Sequence, residues 1–210
     1  MTFDRIAAFA PHTDDIEIGC GASIAKFINA GAVVYYVAFS ICEEWVPEGF
    51  AQDALLYESR AAASRLGVKE SNVEIHRFRA TRLSQDRQKI FEIMERVRTE
   101  IQPALVFCPS LFDTHQDHAT IAQEATRVFK ASSVFGYEMP RNNIEIKLNG
   151  HVQVSQQELE TKIEAIRCFE SQEFRGYTAR RLVESLARVR GLQTECEFAE
   201  AFEVIRYRDL

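Results

Sequence analysis

No stretch of this chain stays apolar long enough to span a bilayer, and the opening segment, Met1-Thr2-Phe3-Asp4-Arg5, carries no signal-peptide pattern. A cytoplasmic protein without a membrane span is therefore expected. The five cysteines (Cys20, Cys42, Cys108, Cys168 and Cys196) form no CxxC pair. An odd, dispersed set offers no disulfide framework and reads as reduced thiols, mostly core filler. Basic charge is short as well: 25 Lys and Arg against 31 Asp and Glu leave a formal net charge of −6, which argues against a general nucleic-acid-binding face. Internal repeats, low-complexity tracts and linker-like stretches are absent, so residues 1–210 are expected to form a single domain. Gly19-Cys20-Gly21 lacks the third glycine of a dinucleotide fingerprint and reads as a site of close packing instead.

What is present is apolar material in an ordered rhythm. Hydrophobic residues make up 46% of the chain, enough for a core, and charged residues make up 27%, enough to solvate its outside. Strand and helix patterns alternate. Arg5–Ala10 is the first predicted strand, followed by a helix over Ile18–Ala30 that Gly31 stops. Val33–Phe39 is an unbroken β-branched and aromatic run, as a strand buried on both faces requires. Gln52–Leu66 reads as a helix, Val73–Phe78 as a third strand, and Asp86–Ile101 as an amphipathic helix broken by Pro103. Ala104–Cys108, Asp117–Phe129 and Val134–Glu138 continue the alternation. Beyond them, Ile144–Val154 suggests a hairpin turning at Asn149-Gly150, Gln156–Phe169 and Ala179–Val189 suggest helices, and Phe198–Tyr207 fits either a strand or a helix end. Repeated strand-helix-strand units imply right-handed crossovers and a doubly wound, mainly parallel α/β sheet.

Two polar clusters end two of the apolar strands. His12-Thr13-Asp14-Asp15 follows the first, and His115-Gln116-Asp117-His118 follows Ala104–Cys108. Either cluster alone is explained by an Asx-turn or a helix N-cap, since Asp is favoured in both. Both together change the balance, because ligands of open parallel sheets bind beyond the carboxyl ends of strands, where the clusters can meet. Imidazole nitrogens, an anionic oxygen and an open position are the requirements of a catalytic zinc. The same donor set also accepts iron, manganese or cobalt.

The clusters and their neighbours resemble the PIG-L/LmbE-like family of zinc-dependent sugar N-deacetylases. Ala10-Pro11-His12-Thr13-Asp14-Asp15-Ile16-Glu17, then Gly19-Cys20-Gly21-Ala22, is similar to A-H-P-D-D-E followed by G-x-G-G, and His115-Gln116-Asp117-His118 is similar to H-P-D-H. Lys162–Ile166 leading to Ser171-Gln172, and Ala199-Glu200-Ala201-Phe202, are weaker matches in the same order. The resemblance implies an LmbE-like form of the Rossmann-like fold, with His12, Asp15 and His118 as zinc ligands and Asp14 as the general base. It further implies that His115 stabilises the oxyanion or protonates the leaving amine, with Asp117 orienting and charge-tuning it. An acetamido-sugar or sugar conjugate would be the small-molecule substrate, with a homo-oligomer left open.

This chain departs from the family at Thr13 and Ala22, at Leu55, where many sugar-binding members carry an arginine, and at the turn Arg79-Ala80-Thr81-Arg82, where they carry an acid. Three arginines within Arg77–Arg82 make a local basic patch, so Arg79 and Arg82 are expected to meet a negatively charged substrate, acidic or nucleotide-activated. Pairing with surface acids would explain the same residues. Glu43 and Trp45, after the second strand, are further candidates for substrate contact. His76 and His151 have no role in this reading. Two rival functions remain: a non-catalytic ligand-binding module on the same fold, and a nucleotide-cofactor enzyme.

Overall fold

The computed structural model describes residues 3–209. Its strands are β1 (Arg5–His12), β2 (Val33–Ser40), β3 (Val73–Ile75), β4 (Leu105–Pro109), β5 (Ser133–Tyr137), β6 (Gly150–Val154) and β7 (Phe198–Arg206). Its helices are α1 (Asp15–Asn29), α2 (Ala54–Leu66), α3 (Arg87–Ile101), α4 (Gln116–Val128), α5 (Gln156–Ile166) and α6 (Arg180–Leu192). The seven strands form one sheet in the order β3-β2-β1-β4-β5-β7-β6. The first five in that order run parallel, and β7 pairs antiparallel with both β5 and β6.

Period-two alternation sorts the side chains of the central strands between two layers. Ile6, Ala8 and Ala10 of β1 join residues of α1, α2, α5 and α6, among them Ile24, Leu66, Ile163 and Val183. Ala7 and Phe9 face the other way and meet α3 and α4 through Ile90, Met94, Ile121 and Val128. Strand β1 lies between β2 and β4, so successive connections leave it in opposite directions. The crevice beyond the carboxyl ends of β1 and β4 is the topological switch point of the sheet.

Several boundaries differ from the sequence reading for local reasons. Asn149-Gly150 makes no hairpin. Gly150 is not among the positive-φ glycines, whereas a two-residue type I′ turn needs positive φ at both positions. It opens β6, whose partner is the distant β7, and Asn149 is bound to that strand through its N–H to Phe202 O (3.1 Å) and its Oδ1 from Val204 N–H (2.7 Å). The ambiguous C-terminal segment is thus a strand. Regular pairing in β3 stops at Ile75, although His76 and Phe78 still donate to Ala38 O and Phe39 O of β2 (2.8 and 3.0 Å). Helix α4 is capped by His115, whose Nδ1 accepts from the Asp117 N–H at 3.2 Å; Asp117 itself lies inside the helix.

Helix α1 starts at Asp15 and is interrupted at Cys20 (φ −146°, ψ 18°). The interruption strands backbone groups in the interior, and two side chains from remote elements bind them. Lys162 of α5 donates to Ile18 O (2.7 Å) and to Glu200 Oε1 of β7 (2.6 Å). Glu200 in turn accepts from the N–H groups of Ala22 (3.2 Å) and Ser23 (2.7 Å). Both charged side chains are almost fully buried. Gly19, just before the break, lies against Tyr137, where a Cβ would come within 2.6 Å of the ring. Lys162→Met should lower unfolding stability by about 3–5 kcal/mol, because it leaves a buried Glu200 carboxylate uncompensated. Chemical denaturation measures this, and a loss below about 1 kcal/mol would refute the bracing role assigned to the pair.

Candidate metal centre and active-site cavity

The two polar clusters meet at the switch point. His12 ends β1, Asp14 precedes α1 and Asp15 begins it, and His115, Asp117 and His118 lie at the start of α4. His12 Nδ1, His118 Nε2 and Asp15 Oδ2 form a triangle with all three edges 3.3 Å long. A tetrahedral zinc with bonds of about 2.0–2.1 Å spaces its donor atoms by roughly 3.3–3.4 Å, so this trio fits such an ion. Burial opposes ionisation of Asp15, but the neighbouring His118 and His12 outweigh it and bring its pKa down to about 2.

The remaining ring nitrogens are held by carboxylates. His12 Nε2 is 2.9 Å from Asp117 Oδ2, and His118 Nδ1 is 2.8 Å from Asp113 Oδ2. A proton on each of these nitrogens would leave the nitrogen inside the triangle as a lone-pair donor to an ion. Asp117 was expected to orient His115. Its carboxylate lies instead on His12 and also accepts from the N–H groups of Thr81 (2.6 Å) and Leu83 (3.2 Å). Burial works against this carboxylate, but His12 and the two backbone donors prevail and lower its pKa. These commitments argue against the alternative trio of His12, His115 and Asp117 as a metal site.

Asp14 and His115 border the same cavity and stay outside the triangle. Asp14 precedes α1 yet its side chain makes no capping hydrogen bond, so the N-cap explanation does not account for it. Burial and the adjacent Asp15 raise its pKa. Its Oδ2 is 3.4 Å from the Tyr177 hydroxyl. Burial, with His12 and His118 nearby, lowers the pKa of His115. Because His115 Nδ1 accepts a backbone N–H, the proton of the neutral ring sits on Nε2.

The cavity measures about 350 Å³ and reaches from the triangle to Trp45, Leu55, Met139, Arg141, Arg175 and Tyr177. Arg79, Arg82 and Glu43 are not among its lining residues. Arg79 pairs with Glu44 at 2.8 Å, and Arg77 pairs with Glu43 at 2.7 Å. Trp45 does reach the rim, while His76 stacks on Phe39 and lies 2.8 Å from Glu74. All five cysteines are free.

Sequence reasoning missed Asp113, Asn142, Arg141, Arg175 and Tyr177. Asp113 had a signal, a third acid in the loop that carries His115. The others lie in irregular segments with no motif to mark them.

A family model described as PIG-L, GlcNAc-PI de-N-acetylase, matches residues 7–129, more than half of the chain. The chain belongs to the PIG-L family. Within the curated relatives of this PIG-L protein, the uncharacterized deacetylase YaiS of Escherichia coli K12 is 27% identical over 145 residues, covering 64% of this chain and 74% of YaiS. The N,N'-diacetylchitobiose deacetylase of Pyrococcus horikoshii shares the fold with a TM-score of 0.80 and 22% identity, over 97% of this chain and 84% of that one. GalB, the 4-carboxy-2-hydroxymuconate hydratase of Pseudomonas putida KT2440, does so with a TM-score of 0.83 and 20% identity, over 100% and 98%. A deacetylase and a hydratase on one fold mean that the reaction has to be argued from the site.

If Asp113 and Asp117 tune the imidazoles as their placement indicates, Asp113→Asn and Asp117→Asn should each weaken metal affinity by about 10–100-fold. Competition with a chromophoric chelator reads this without any substrate. Unchanged affinity in both variants would remove the carboxylates from the metal site's support.

Proposed function

We propose that this protein is a zinc-dependent N-deacetylase that hydrolyses the N-acetyl group of an acetamido-sugar or sugar conjugate. The observation that carries the reading is the 3.3 Å triangle of His12, Asp15 and His118, with Asp14 and His115 outside it and bordering the same cavity. Family membership and the acetylated-sugar substrate named for the Pyrococcus horikoshii neighbour support the substrate class.

His12, Asp15 and His118 would hold the ion. A zinc ion in such a site supplies Lewis acidity, lowering the pKa of water to about 7 and polarising a carbonyl. Amide hydrolysis then needs three services from the chain: a base for the attacking water, a partner for the carbonyl oxygen as it becomes negative, and a proton for the departing nitrogen. Asp14 takes the proton from water, since it borders the cavity and stays outside the triangle. His115 presents its Nε2–H to the developing oxyanion or to the leaving amine. Asp117 orients His12, and Asp113 orients His118. The C–N bond breaks, water adds across it, and acetate and a free amino sugar leave.

Mass spectrometry of acetamido-sugars incubated with the zinc-loaded protein tests the reaction through loss of an acetyl group. Asp14→Asn should retain the metal and lose about 10²–10⁴-fold in turnover. Asp15→Ala and His118→Ala should lose both metal and activity. Were Asp14→Asn to empty the site while Asp15→Ala kept it filled, the roles of the two neighbours would be reversed. His115→Ala should keep the metal and lower kcat more than it raises KM, because its partner forms mainly in the transition state. An unchanged kcat would end its assignment.

A further inference from the structure

Two guanidinium groups, those of Arg141 and Arg175, line the cavity, and neither lies within ion-pair distance of a carboxylate among the described residues. Many arginines elsewhere in this acid-rich chain are paired, among them Arg77, Arg79, Arg96, Arg98, Arg127 and Arg190, each within ion-pair distance of a glutamate. Among the described residues, Arg141 and Arg175 form no such pair, although acids outnumber bases in the chain as a whole. Arg175 is partly buried, and its Nε is buried with no hydrogen-bond partner. A buried guanidinium donor left unpaired carries a desolvation cost that an incoming acceptor can relieve.

The two groups come from separate segments and lie near one aromatic ring. Arg141 follows β5 and Arg175 follows α5, yet their guanidinium carbons lie 5.6 and 5.8 Å from the centre of the Tyr177 ring. The same tyrosine donates to Asp14 at 3.4 Å, which ties the arginines to the residue proposed as the base. Asp14 and Asp15 would repel an anion in the bare cavity. A divalent ion held by the trio would offset those two carboxylates, leaving Arg141 and Arg175 as the uncompensated charges among the residues that line the cavity.

We propose that Arg141 and Arg175 form an anion-recognition site and that the substrate carries an oxyanion substituent, a carboxylate or a phosphate monoester, beside its acetamido group. The inference rests on the reading of the cavity as an amide-hydrolysing site and names its substrate class. Guanidinium forks suit both anions through paired N–H···O bonds. None of Arg77, Arg79 and Arg82 lines the cavity, and Arg77 and Arg79 are paired with Glu43 and Glu44.

The test uses the zinc-loaded protein and three probes: N-acetylglucosamine, its 6-phosphate, and N-acetylmuramic acid, which carries a carboxylate. Calorimetric binding, with turnover stopped by Asp14→Asn, should find at least one anionic probe bound about tenfold or more tighter than the neutral sugar. The stronger of the two identifies phosphate or carboxylate. Arg141→Gln and Arg175→Gln should each reduce that preference, Arg175→Lys should retain part of it, and Arg79→Gln should leave it intact. Thermal unfolding of each variant verifies that it is folded. Equal binding of neutral and anionic probes, no binding of either anionic probe, or a preference that survives both glutamine substitutions would overturn the proposal. Acetate release by the protein with Asp14 intact separates the two readings. Release without charge preference would leave the deacetylase and remove the anion site. Charge-selective binding without release from any probe would do the reverse.

Discussion

A helix broken in its interior leaves backbone groups that water cannot reach, and the Lys162–Glu200 pair answers that need for α1. One ammonium satisfies the carbonyl of Ile18 before the break, and one carboxylate satisfies the N–H groups of Ala22 and Ser23 after it. The two charges then satisfy each other. A buried ion pair is poor evidence of stability by itself, because desolvation offsets its Coulombic gain. Here each ion also replaces lost backbone partners, which accounts for its place in the interior. The turn that carries Asp14 and Asp15 is thereby tied to α5 and β7. Tyr36 adds a further tie, donating to Thr13 O at 2.7 Å.

Beyond that brace, the site depends on the loop and helix start after β4. Asp113, His115, Asp117 and His118 occupy this one stretch, and they serve both histidines of the triangle. Asp113 holds the local His118, and Asp117 reaches across to His12 on β1. Asp113 also accepts the His115 N–H at 2.8 Å, so its two oxygens link His115 to the triangle of His12, Asp15 and His118. Asn142, from the loop after β5, donates to the same carboxylate at 3.3 Å and connects this network to the cavity wall. Low polarity around such a network strengthens each bond and makes every unpaired member costly.

Charge in the cavity is decided by which arginines lack partners, and their number in the sequence does not reveal that. The segment Arg77–Arg82 holds three arginines, and it does border the cavity, but through Ala80 and Thr81. Arg77 and Arg79 turn outward to Glu43 and Glu44, as alternation along an extended segment allows. Arg141 and Arg175 carry no local signature. They line one cavity only because the loops after β5 and α5 close over the same strand ends.

The layout of the fold was largely legible in the sequence, because burial writes itself into local pattern. Val33–Phe39 reads as a strand sheathed on both faces, and Gly67, at φ +91°, ends the helix that its position predicts. His12, Asp14, Asp15, His115 and His118 were legible too, since polar residues directly after apolar strands must lie at the carboxyl edge of a parallel sheet. Pairings between remote segments were not. The Asn149-Gly150 turn gave way to a strand because β7 offered a longer ladder than two residues could close. Asp117 faces His12 and not its neighbour His115 because β1 and β4 lie side by side, and His115 fills its own Nδ1 with a backbone N–H of its helix. Local spacing determines which residues stand at a strand's end, while the packing of strands and loops that are distant in sequence decides which atoms each one touches.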